Sequence, residues 1–558
     1  MYRKNRAVID IVCCGIATLV LAGCGARYSE ERKAAHSDNA APAPSSQANV
    51  DPVERDYAGT GTGYSPAIGD TFVENPAARS DEKYGRIYEN DYFNARTNPL
   101  STFSIDADGA SYANVRRFIS RGEMPPPDAV RIEELINYFS YDYPEPRDGH
   151  PLSVVSEVAA CPWNEAHRLV RIGIGAANLL SQFDAPNNIV FLIDVSGSMS
   201  DPAKLPLLKN GLNMLVEELG SNDRVAIVTY AGSASVALAS TPGNNRREIL
   251  SAIRNLEAGG STAGEAGINL AYDIASRNFI SDGKNHVILA TDGDFNAGAS
   301  SANELRRLIE VKRSSGISLS VIGLGEGDIN DETMEQMADN GNGTYYYIDS
   351  RDEAERVMRH NIPAGINVAA RDVKIQVEFN PATVKEYRLI GYENRALAAR
   401  DFNDDVKDGG EIASGQDVTA LYEIVPATSA SARPKVDRLK YQPSVSAEPG
   451  RPRPAASSEL MTVKVRYKRN LNDTSTSIIQ PVIDRGNSYT TASGSMKLAA
   501  AVAEWGLLLR DSKYKGNATL AQVLALAESG LGNDADGSRG RFIALVRNSM
   551  GLLDRRPI

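Results

Sequence analysis

The chain has 558 residues, 60 of them Lys or Arg and 71 Asp or Glu, giving a formal net charge of −11. An acidic balance of this size makes the phosphate backbone of nucleic acid a poor partner. The length calls for several domains rather than one hydrophobic core.

Arg3, Lys4 and Arg6 precede an apolar stretch, Ile11–Ala22, that is too short to span a bilayer comfortably. This is the pattern of a secretion signal. The stretch ends in Leu21-Ala22-Gly23-Cys24, which resembles a bacterial lipobox. The resemblance implies cleavage of the lipoprotein signal, residues 1–23, and a lipid anchor on Cys24 in the bacterial cell envelope. Gly25 rather than Asp follows the cysteine, which by the enterobacterial sorting pattern favours the outer membrane. Loss of residues 1–23 removes three basic residues and one acidic one, taking the net charge to −13. Cys13 and Cys14 leave with the signal and Cys24 is acylated, so Cys161 alone remains and no intrachain disulfide is expected. Cys161 reads as a small buried hydrophobe. Residues 24–84 are rich in Ala, Pro, Ser, Gly and charge, and such a segment buries too little to order itself. It is expected to be a disordered tether, holding the folded part on the order of 40 Å from the membrane.

Residues 85–187 begin with Asn98-Pro-Leu-Ser-Thr-Phe-Ser-Ile-Asp-Ala-Asp-Gly109, followed by helical patterns over Ala113–Arg121 and Ala129–Phe139 with a proline turn between. Asp106-Ala107-Asp108-Gly109 invites a calcium or phosphotransfer reading. An EF-hand loop needs a Glu at its twelfth position, and counting from Asp106 that position is Arg117. The expectation is therefore a strand end capped by Asp before a helix. Leu152–Ala159 and Arg168–Ile174 then alternate apolar and polar residues as strands do.

Ile189–Ile193 is a buried-strand run that ends in Asp194-Val195-Ser196-Gly197-Ser198. One carboxylate and two hydroxyls thus share a tight turn, and oxygen ligands of this kind suit a hard divalent cation such as Mg²⁺. Gly259-Gly260-Ser261-Thr262-Ala263-Gly264 opens a helix and offers the Thr262 hydroxyl, and a second apolar strand from His286 ends in Thr291-Asp292-Gly293. Apolar runs at Val225–Tyr230, Val287–Ala290 and Leu319–Leu324 alternate with helical patterns at Lys204–Leu219, Arg246–Leu256, Ala266–Phe279, Asn303–Arg313 and Glu332–Asp339. Such alternation indicates a parallel sheet with helices on both faces. Thr344–Asp349 is expected as its last, edge strand and Asp352–Asn361 as the closing helix. Strand ends gather at one edge of such a sheet, where ligands bind at the topological switch point. Asp194, Ser196, Ser198, Thr262 and Asp292 would meet there. This set, over residues 188–361, resembles the metal-ion-dependent adhesion site (MIDAS) of von Willebrand factor type A (vWA) domains, with all five positions filled. The resemblance implies a doubly wound α/β fold. It implies direct ligation by Ser196, Ser198 and Thr262, with Asp194 and Asp292 completing the site. It also implies Mg²⁺ (or Mn²⁺ or Ca²⁺) as cofactor, and a partner protein that gives the ion an Asp or Glu carboxylate.

Residues 362–492 are expected to be β-rich, with alternating strands at Val373–Glu378, Tyr387–Gly391, Asp417–Ile424 and Leu460–Tyr467 and a disordered loop at 426–458. These would pair with the strands before residue 188 in a sandwich with one face to solvent, into which the vWA domain is inserted with its two ends close together. Residues 493–558 carry helices at Met496–Leu509, Leu520–Ser529 and Arg541–Leu553, with Trp505 in a core stripe. Together with the Asn98–Tyr112 region, Tyr141–Pro146 and Cys161-Pro162-Trp163-Asn164, the chain resembles bacterial vWA lipoproteins of the YfbK type.

Catalysis needs a general acid or base beside the metal. The five histidines stand apart at 36, 150, 167, 286 and 360, and only His286 begins a strand leading to the site, at the far end. Gly323-Leu-Gly325-Glu-Gly327 lacks the Gly-x-Gly-x-x-Gly spacing of a dinucleotide loop, so no nucleotide is expected. A non-enzymatic, metal-dependent binding module displayed from a membrane is the favoured reading. The alternatives are an envelope scaffold with a structural metal and a metal-dependent hydrolase using Asp292-Gly293-Asp294 or Asp106-Ala107-Asp108.

Overall fold

The computed structural model describes residues 82–179, 185–261, 264–293, 302–327, 329–405, 407, 409–429, 458–470 and 473–553. The lipobox and Cys24, nearly all of the expected tether, most of the loop at 426–458, and Thr262 lie outside them. No helix among the described residues is long and apolar enough to cross a membrane.

The A domain is built on six strands in the spatial order Tyr345–Ile348, Ser318–Leu324, Lys284–Thr291, Asn187–Asp194, Arg224–Tyr230 and Ala234–Pro242. The first five run parallel. Their continuous burial explains the unbroken apolar runs, because both faces are covered by helices. Leu205–Glu218 and the segment after Arg351 pack on one face. Gly264–Arg277, Ala302–Arg313 and Asp331–Asn340 belong to the other. One element departs from expectation: Ala234–Pro242 is an antiparallel edge strand. It buries only Leu238 and Thr241, so its small residues give no apolar period. The closing helix also differs, since Arg351–Arg356 passes through a π-helical turn, Val357–Asn361, into Ile362–Ile366.

The strands on either side of the A domain form two antiparallel sheets. Asn164–Ala176 pairs with Leu152–Cys161 on one side and with Asp417–Pro426 on the other. The second sheet centres on Val368–Phe379, between Leu100–Ser104 and Glu459–Lys468. Val170, Ile172 and Ile174 face Ile375, Val377, Val463 and Val465 across the sandwich core. Along the chain the A domain is inserted between Asn164–Ala176 of the first sheet and Val368–Phe379 of the second, and the segments flanking it lie together: Leu179 N donates to Ser414 Oγ at 2.7 Å and Ser414 N to Asn367 O at 2.8 Å.

One expectation is corrected by this arrangement. The first sheet does not leave a face to solvent, because Leu169, Leu421 and Ile390 point the other way into a helical layer. There the amino-terminal helices, Ala110–Ser120 and Ile132–Asn137, share one core with Gly494–Arg510, Leu520–Ser529 and Ser538–Leu553. Trp505 is fully buried in that core and donates to Ser549 Oγ at 3.1 Å. Ser493 and Thr519 cap two of these helices by accepting from Met496 N and Gln522 N. Cys161 is a free thiol buried in the same layer, where burial raises its pKa.

Candidate metal centre

Within the A domain the strand order is 3-2-1-4-5-6, numbered along the chain, so the switch point lies between Asn187–Asp194 and Lys284–Thr291. These strands are parallel neighbours from Asn187↔Lys284 to Ile193↔Ala290. Their carboxyl ends bring Asp194 and Asp292 to one place, both almost wholly buried. Asp194 is tightly held. One carboxylate oxygen accepts from Ser196 N at 2.8 Å, and the other accepts from the Tyr230 hydroxyl at 3.1 Å and from Thr291 Oγ1 at 3.2 Å. Burial, with a contribution from the charge on Asp292, raises the pKa of Asp194 despite the hydrogen bonds from Ser196. Such a carboxylate is stabilised by positive charge nearby.

The turn after the strand sets Ser196 Oγ and Ser198 Oγ 3.0 Å apart. Ser196 is buried, while Ser198 is exposed, so the site opens outward. The loop before the helix Gly264–Arg277 is stitched to this turn, with Gly197 N donating to Gly260 O at 3.1 Å and Gly259 N to Val195 O at 2.7 Å. Gly260 has φ +92°, a conformation that favours glycine. Of the five expected residues, the fold thus gathers Asp194, Ser196, Ser198 and Asp292.

Three residues near this site were not expected as part of it. Tyr230 and Thr291 orient Asp194, as above. Lys204 Nζ stands 2.9 Å from Asp292 Oδ2, in a pair whose side chains are 9% and 1% exposed. Two carboxylates and two hydroxyls make a donor set of hard oxygens that fits a small divalent ion, with Lys204 taking up one oxygen of Asp292. The ion would be held by Ser196, Ser198, Asp194 and Asp292.

His286 plays no part here. It lies five residues from the strand's end, about 16 Å away by strand rise, with Nε2 2.9 Å from Ser320 Oγ. Burial lowers its pKa to about 4. A cavity of about 340 Å³ lies elsewhere, lined by Tyr138, Glu353, Arg356 and Gln416 among others, and no metal-site residue borders it.

A second acidic group, Asp106, Glu134 and Glu335, has carboxylate oxygens within 4.8 Å of one another. Each already takes a guanidinium. Arg395 Nε donates to Asp106 at 3.0 Å, and Arg131 pairs with Glu134, with Asp331, and with Glu335 at 3.3 Å. The group seals the A-domain helix Asp331–Asn340 against the amino-terminal helices. Asp106 accepts from Asp108 N at 3.0 Å, whereas the helix start at Ser111 N is bound by Glu134 Oε2 at 2.8 Å. The expected cap by Asp is therefore replaced by a glutamate from the next helix.

Comparison with known proteins agrees with this architecture. Residues 188–360 match the von Willebrand factor type A domain family, 78–171 the family described as von Willebrand factor, and 364–552 that described as uncharacterized protein YfbK, C-terminal. Over 492 residues the chain is 39% identical to the uncharacterized protein YfbK of Escherichia coli (strain K12), covering 87% of this chain and 83% of that one. The chain belongs to the YfbK family of bacterial vWA proteins. The human inter-alpha-trypsin inhibitor heavy chain H3 is 28% identical over 163 residues, 27% of this chain and 18% of its own. A solved structure described as von Willebrand factor type A from Catenulispora acidiphila aligns over 72% of this chain and 90% of its own, at 18% identity and a TM-score of 0.39. Domains of the vWA family mediate protein–protein interactions, and they commonly bind a divalent metal.

Proposed function

We propose that this chain is a non-enzymatic protein of the bacterial cell envelope that binds a protein partner through a divalent ion. The observation that carries the reading is the meeting of Asp194, Ser196, Ser198 and Asp292 at the switch point, buried at the base and open at Ser198. Thr262, outside the described residues, is the fifth ligand that the sequence motif supplies. The ion, Mg²⁺ with Mn²⁺ or Ca²⁺ as alternatives, supplies an electrophilic attachment point for an Asp or Glu carboxylate of the partner. Around it, Tyr230 and Thr291 keep Asp194 oriented, and the Ser196–Ser198 turn presents hydroxyls that do not cancel the ion's charge. Burial of His286 away from the site supports binding over hydrolysis, because it is the one histidine on a strand leading to the site among the described residues, and it stands at the far end. The lipobox supports attachment through Cys24, with residues 24–84 as the tether and the outer membrane as the favoured address.

Ser198→Ala tests this reading against a scaffold whose ion only stiffens the loops. The exposed hydroxyl contributes little apolar burial, so the melting temperature should fall by only a few degrees. Crosslinks to envelope partners that form in Mg²⁺ and disappear in chelator should be lost. A variant that keeps those crosslinks, or loses them only by unfolding, would favour the scaffold.

A further inference from the structure

Lys204 sits where a lysine is hard to explain as packing. It is the residue before the helix Leu205–Glu218, and a cation at a helix amino terminus opposes the helix dipole. The turn Asp201-Pro202-Ala203-Lys204 sets it there: Asp201 Oδ1 accepts from Ala203 N at 2.8 Å, and Lys204 N donates to Asp201 O at 2.9 Å. From that point the stem runs inward to place Nζ on Asp292. The loop Gly323–Gly327, which lacks nucleotide spacing, forms a wall along the stem. Gly325 has φ +81°, and a Cβ there would stand 2.3 Å from Lys204 Cε and 2.6 Å from Cγ. The Tyr347 hydroxyl donates to Gly325 O and fixes the loop. A glycine, a tyrosine and a turn from three separate elements thus position the stem that carries this ammonium.

We infer that Lys204 is a built-in counter-charge of the metal centre, a positioning residue that sets how strongly the ion is held and how strongly it attracts a partner's carboxylate. The inference rests on the metal-centre reading above. With Asp292 neutralised by Lys204, the protein offers a divalent ion one net negative charge, from Asp194, instead of two. The ion is held less tightly by the protein and keeps more positive charge for an incoming anion. Without the ammonium, both carboxylates act on the ion, which should then be bound more firmly and be less electrophilic.

Calorimetric titration of Mn²⁺ into the full chain and its Lys204→Met and Lys204→Arg variants tests this directly. Met keeps the stem and loses the charge, and its affinity for Mn²⁺ should rise at least tenfold. Arg keeps the charge and should stay within about threefold of the wild type. Gly325→Ala pushes the stem aside without altering net charge, and should raise the affinity in the same direction. With Mn²⁺ bound, acetate serves as the carboxylate probe, followed by water-proton relaxation. It should displace metal-bound water from wild type at lower concentration than from Lys204→Met. Binding by wild type with unchanged or weaker affinity in Lys204→Met would overturn the lysine's role and leave the metal centre standing. Binding by the Met variant alone would support the inference in its strongest form. No binding by any chain would overturn both.

Discussion

At the seam of the A domain, Asp106, Glu134 and Glu335 are gripped by the planar forks of Arg131 and Arg395. At the carboxyl edge of its sheet, Asp194 and Asp292 face hydroxyls and one lysine ammonium. The two regions are alike in burial and in acidity, and they differ in the cation. Arginine is always charged and binds carboxylates through several fixed donors, whereas lysine is a point charge on a flexible stem. The seam is therefore locked, with its carboxylates committed to the protein. At the sheet edge one ammonium meets two carboxylates, and Asp194 is held by neutral donors. Acidic clustering alone does not make a metal site; what decides is how much of the carboxylate charge the protein's own cations have taken up.

Breaking the seam should produce the largest effect. Arg131→Met leaves Glu134, Asp331 and Glu335 without their shared guanidinium, and removing one partner of a buried charge network costs about 3–5 kcal/mol. Denaturant unfolding should show that loss, and Mg²⁺ should not restore it. At the other region, Lys204→Met removes one ammonium from one carboxylate, with an expected cost of about 1–3 kcal/mol in chelator. Here Mg²⁺ should restore stability, since an ion at a hundred times its Kd contributes about 2.7 kcal/mol. Equal rescue of both variants by Mg²⁺ would erase the distinction.

A pH-dependent effect sharpens the seam's side of the comparison. Burial, with Glu393 and Asp106 adding repulsion, raises Glu133 from 4.5 to about 8. Because its folded pKa lies above the unfolded one, the folded chain holds this proton where the unfolded chain has lost it. Stability from this group is full below pH 4.5 and is lost as the pH rises towards 8. Glu133→Gln should match the wild type near pH 4.5 and exceed it increasingly up to pH 8 by denaturant unfolding. A constant difference between the two across that range would contradict the assignment. The smallest effect is expected of His286→Gln, which should leave metal affinity within twofold by calorimetry. A large drop would place the histidine in the metal's chemistry and revive the hydrolase reading.

Much of this arrangement was legible before the structure. The strands Asn187–Asp194 and Lys284–Thr291 announce themselves by unbroken apolar runs, and the hydroxyl and carboxylate residues at their ends follow from the turn that stops each run. Ala234–Pro242 was not legible, because an edge strand that buries two residues has no apolar period to read. The seam was hidden for a different reason. Arg131, at the cap of a short helix, and Glu134 within it are three apart and look like a solvated surface pair, and they are buried by tertiary contacts with Ser111 and with Asp331–Asn340. Lys204 is separated from Asp292 by 88 positions, and its place depends on a glycine loop from a third strand. Local pattern carries the hydroxyl and carboxylate residues, while the charges set beside them come from tertiary contacts.

The most direct test of the metal centre is calorimetric titration of Mg²⁺ into the full chain beside Asp194→Ala, with the fold of each checked by circular dichroism. One saturable site in the wild type that is lost in a folded variant is the predicted result. Binding that is equal in the two chains, or absent from both, would contradict the account.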